Sequence, residues 1–83
     1  MDNYYQPEYE KLKKYEKIAE SLKDELQILE NWLKEAKERK DRIDIEISSK
    51  SIEKTKLLLE AVELAIHDIN KFLKERVAEE EYN

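Results

Sequence analysis

The chain has no cysteine and no glycine in its 83 residues, and a single proline at position 7. Without thiols there is no disulfide framework, no thiolate nucleophile and no cysteine metal site. That excludes the stapled scaffolds of small secreted proteins and fits an intracellular, cytoplasmic chain. Without glycine, β-hairpin turns and left-handed helix ends lose their usual residue. Pro7 precedes the periodic part of the sequence, so nothing interrupts a helix drawn through the rest. No uninterrupted apolar run is longer than Leu57-Leu58-Leu59, and the opening Met1-Asp2-Asn3-Tyr4-Tyr5 lacks the basic-then-apolar order of a signal peptide. A soluble protein without a membrane partner is expected.

What the chain does have is charge and rhythm. Charged residues make up 45% and apolar residues 40%, with a net charge of −5. The apolar residues recur too regularly for a disordered tail, and the Glu/Lys-rich remainder resembles thermophile surfaces and coiled coils. Two stripes alternate at three- and four-residue spacing: Leu12, Tyr15, Ala19, Leu22, Leu26, Leu29, Leu33, Ala36, and Ile52, Thr55, Leu59, Val62, Ile66, Ile69, Leu73, Arg76. Folded about Asp44 they meet rung by rung, Ala36 with Ile52, Leu29 with Leu59, Leu22 with Ile66 and Tyr15 with Leu73. This predicts an all-α domain, an antiparallel two-helix hairpin of coiled-coil type. One unbroken rod fits less well. The second stripe restarts five residues after the position where the first would continue, which swings the seam by about 140°.

Local signals set the expected boundaries within a single domain, 1–83. Pro7 with Glu8 and Glu10 suits a first turn, and Lys37, Arg39, Lys40 and Arg42 suit a helix end, giving helix one at about 8–42. Ile43, Ile45 and Ile47 alternate with acids at period two, which reads as an extended turn at about 43–48. Ser48, Ser49 and Ser51 are good caps, so helix two is expected at about 49–79, with frayed ends at 1–6 and 80–83.

The flanks of the hairpin differ. On one side the mirror brings Lys23 near Glu63 and Glu30 near Lys56, opposite charges that select register at about 0 to 1 kcal/mol per exposed pair. On the other side lie Ile18, Ile28 and Trp32 of helix one and Leu58, Ala61, Ala65 and Phe72 of helix two, with Leu57 and Leu64 further round. Left wet, these form an apolar patch of the kind that marks an interface. A homodimer of hairpins, making a four-helix bundle, would cover them. Residues 34–56 carry eight basic against six acidic residues, net +2, so the remainder carries −7 of the total −5. Laying turn against open end in an antiparallel dimer sets unlike charge together.

Catalytic chemistry has little to stand on. His67 is the sole histidine and shares a face with Glu63, but Leu64 occupies the place where a Glu-x-x-His metal motif needs a carboxylate. There is no phosphate loop, no serine placed beside a histidine and no carboxylate pair on the seam, so neither enzyme activity nor a cofactor is expected. A nucleic-acid reading rests on Lys34, Lys37, Arg39, Lys40 and Arg42 in the stretch 34–42. Glu35, Glu38 and Asp41 interleave them, and the net charge repels phosphate. Tyr4, Tyr5, Tyr9 and Tyr82 gather at the open end, either as docking aromatics or as caps on the core. Trp32 is followed by Leu33 and Lys34, so the Trp-x-Gly turn of secreted helical hairpins is missing. The expected function is a non-enzymatic, dimeric protein–protein interaction module, an adaptor or regulator of the sort viruses, plasmids and archaea encode. An RNA- or DNA-binding regulator and a chaperone-like clamp on a client helix are the other readings.

Overall fold

Pro7 lies in the first turn of the first helix, where its missing N–H leaves no bond unmade, and Glu8 sets a negative charge at the positive end of the dipole. The computed structural model describes residues 5–82, and side chains as far as residue 78. It contains two helices, α1 (Gln6–Arg39) and α2 (Arg42–Tyr82), packed against each other as a hairpin of 64 × 16 × 13 Å. No helix among the described residues is long and apolar enough to cross a membrane.

The reversal takes two residues. Lys40 adopts the left-handed conformation (φ 58°, ψ 36°), its N–H donates to Lys37 O at 3.1 Å, and the Asp41 N–H donates to Ala36 O at 3.0 Å. This pair of bonds is the Schellman ending, here with lysine where glycine is usual. Asp41 then caps α2: the Asp44 N–H donates to its Oδ1 at 3.2 Å, and the Ile45 N–H donates to its carbonyl at 3.0 Å. Arg39 Nη2 closes the turn from outside, 3.2 Å from Asp44 Oδ2.

The expected boundaries change accordingly. Helix one ends at Arg39 rather than 42, and the expected turn at 43–48 is the opening of α2. Ile43, Ile45 and Ile47 are helical, with Ile45 half-buried and the other two exposed. Their period-two spacing records two faces of a helix rather than the two faces of a strand. Ser48 starts no helix either. It lies within α2, fully buried, its hydroxyl donating to Asp44 O at 2.6 Å and approaching Ile45 O at 3.2 Å. At the far end the helix runs through Tyr82, past the expected stop at 79, while residues 1–4 and 83 lie outside the described residues.

The seam follows the two stripes. Ala19, Leu22, Ala36, Ile52 and Leu73 are buried, the other apolar members are half-buried, and only Arg76 is exposed. Ile45 and Ser48 extend the second stripe toward the turn at the same three-and-four spacing. Ala36 and Ser48, both 0% exposed, are small side chains on either side of the reversal, where a two-residue turn leaves the helices least room to separate. Register moves slightly from a mirror about Asp44. Leu12 and Leu73 line one groove, Ala19 and Ile66 another, and Lys23 meets Glu63, pairs whose midpoints fall at residues 42 to 43. A turn placed earlier in the chain draws the mirror earlier with it.

Candidate functional site: the outer face of the second helix

Because α2 turns about 100° per residue, its positions fall on distinct sides, and the seam uses only one of them. A second set of apolar residues lies about 130° round from it on the same helical count. This set is Ile43, Ile47, Leu57, Leu58, Ala61, Leu64, Ala65 and Phe72. They are not minor exposures: Ile43 is 71%, Leu57 62%, Leu58 57% and Leu64 63% accessible. Ala65 is half-buried, and Ala61 and Phe72 are exposed. On α1, Ile28 is exposed while Ile18 and Trp32 are half-buried, partly covered within the chain. Thus the wet apolar surface of this hairpin is carried mainly by α2.

Ile43 and Ile47 belong to this face, although their period-two spacing reads as a turn. Asp41-Arg42-Ile43-Asp44 carried the signal that could have placed them, an acidic cap followed by an acid in the first helical turn. Four charged residues interrupt the face: Glu46, Lys50, Lys54 and Asp68. Lys50 Nζ lies 3.2 Å from Glu46 Oε1, and His67 Nδ1 lies 3.6 Å from Asp68 Oδ1. Lys54 has no ion-pair partner among the described residues.

At the open end Phe72 is partly claimed by its own chain. The Tyr5 ring meets it edge-on, with centroids 6.5 Å apart and planes at 80°, and the Arg76 guanidinium sits 5.3 Å from the Phe72 centroid. Tyr5 therefore packs on the hairpin. Tyr9 is exposed beside a groove lined by Leu12, Leu73 and Val77. Tyr4 and the side chain of Tyr82 fall outside the described residues. Glu8 Oε2 is buried there without a hydrogen-bond partner.

The opposite flank is polar. Lys23 Nζ lies 3.8 Å from Glu63 Oε2 across the helices, with both side chains more than half exposed. No ion pair joins Glu30 to Lys56 among the described residues. The groove beside Lys23 is lined by Glu16, Glu20, Glu63, His67 and Asn70, side chains that project into solvent around Ala19 and Ile66. No group of three or more histidine or carboxylate side chains is arranged to hold a metal ion among the described residues. In the basic stretch, Arg39 is tied to Asp44 and Lys40 is spent on the turn.

No protein-family model, curated protein or solved structure matches the chain. The residues and their geometry alone carry the functional reading.

Proposed function

We propose that this chain is a non-enzymatic protein–protein interaction module that docks through the outer face of α2, two hairpins pairing there into a four-helix bundle. The observation that supports this most is the length of the exposed apolar face. From Ile43 to Phe72 it runs for about 44 Å at 1.5 Å per residue, some two-thirds of the 64 Å molecule. An isolated exposed leucine needs no explanation, but a stripe along most of a helix belongs to a contact surface. The hairpin also has reason to seek cover, since two helices bury only one face each and small chains have little stability to spare.

Sedimentation equilibrium tests the proposal directly. The wild-type chain is expected at twice its 10.1 kDa mass, and Leu57→Glu/Leu64→Glu at the monomer mass with its helical circular dichroism retained. Wild-type chain that stays at the monomer mass to high concentration, with no change on the double substitution, overturns the dimer.

A further inference from the structure

The central part of the outer face of α2, residues 54–68, is symmetric about one residue. Measured from Ala61, Leu58 and Leu64 stand three residues before and after, Leu57 and Ala65 four, Lys54 and Asp68 seven. A two-fold axis through Ala61 therefore sets each leucine against an apolar residue of a second copy, and each Lys54 against an Asp68. We propose that the occupant of this face is a second copy of the chain, bound antiparallel with its two-fold axis at Ala61. The inference rests on the interaction-module reading above and adds to it the direction and the register.

Four observations converge on that register. The first is charge: among the described residues Lys54, a cation within an apolar face, has no ion-pair partner, and Asp68, its mirror mate, is joined only to the neighbouring His67. Across the axis they neutralise each other twice, once on each side. The second is shape, because Ala61 at the centre lets two helices approach closely and the flanking leucines then interdigitate. The third is overlap. Ala61 lies twenty residues beyond Asp41, about 30 Å from the turn at 1.5 Å per residue, near the middle of a 64 Å rod. A two-fold axis there lays the hairpins along each other for nearly their whole length and overlaps their outer faces from residue 50 to residue 72, while Ile43 and Ile47 extend beyond that overlap toward the acidic end of the other copy. The fourth is the uneven charge along the rod, net +2 in residues 34–56 and −7 elsewhere. Antiparallel overlap brings the turn of one copy to the acidic end of the other. A parallel dimer would face Lys54 with Lys54 and Asp68 with Asp68.

The chain's lack of cysteine makes a crosslinking test clean. Under mild oxidation, Ala61→Cys is expected to form a covalent dimer with itself, because only at the axis do like residues come within disulfide reach. Lys54→Cys alone is expected to stay uncrosslinked, while an equimolar mixture of Lys54→Cys and Asp68→Cys yields the mixed dimer. Charge reversal supplies a second readout. Lys54→Glu or Asp68→Lys alters two symmetric pairs at once, so each should raise the dimer Kd about tenfold, and the two combined in one chain should restore it. Self-crosslinking of Lys54→Cys would show a parallel pair and overturn the proposal. So would a doubled mass whose efficient crosslink lies at Leu57→Cys instead of Ala61→Cys, which leaves the interaction module standing and moves only the axis. A chain that remains monomeric overturns both.

Discussion

Asp41→Ala is the most informative single substitution in this protein, because the position of the reversal depends on that side chain. In the structure its carboxylate accepts the Asp44 N–H at 3.2 Å and stands at the N-terminus of a 41-residue helix. Loss of a capping oxygen costs about 0.5 to 2 kcal/mol, and the bond length lies at the long end of the normal range, so about 1 kcal/mol is the reasoned value. The lost charge at the helix dipole adds about 0.3 to 1 kcal/mol, tempered by Asp44, which stays in the first turn. Together they give about 1 to 2 kcal/mol. For a domain of this size that lowers Tm by about 4 to 16 °C, read by circular dichroism at one fixed protein concentration, since the proposed dimer would make Tm concentration-dependent. Asp41→Asn keeps the capping oxygen and gives up only the charge, so it should lose less than half as much. Ser49→Ala is the counter-test. Ser49 is exposed within α2, where alanine is neutral or slightly better for helix, by a few tenths of a kcal/mol. If Asp41→Ala melts with the wild type and Ser49→Ala loses about 1 kcal/mol, then α2 begins at the serines and the account of the turn is wrong.

Lys40→Gly removes the steric cost of a left-handed non-glycine residue, about 1 to 2 kcal/mol, against about 0.4 to 1 kcal/mol of added unfolded-chain entropy, and should raise the urea midpoint slightly; a lower midpoint refutes the left-handed assignment. Leu22→Ala opens a gap in the seam and should cost about 2 to 5 kcal/mol in urea unfolding. Ser48→Ala should lie within about 1 kcal/mol of wild type, because its hydroxyl bonds only to its own helix, while Ser48→Leu has no room beside Ala36 and should cost about 1 to 3 kcal/mol or more. A double-mutant cycle on Lys23 and Glu63 should return at most about 1 kcal/mol of coupling, and less in high salt, since both side chains are more than half exposed at 3.8 Å.

The apolar spacing of the sequence was enough to determine two helices, their seam and their antiparallel direction, because residues three and four apart must share a helical face and two such faces must cover each other. The same reasoning sets Lys23 across from Glu63, where the structure holds an ion pair, and Glu30 across from Lys56, where it holds none among the described residues. It did not place the turn. Lys40-Asp41 carries neither glycine nor proline, and a left-handed lysine is a conformation that propensity argues against and only the joined packing of α1 and α2 makes worthwhile. Once the reversal moved forward, Ile43 and Ile47 ceased to be turn residues and became part of an outer helical face, while Ser48 passed from cap to buried contact. A single helix repeats every apolar residue without saying which will meet a neighbour; the tertiary structure decided which stripe α1 covers and which is left facing water.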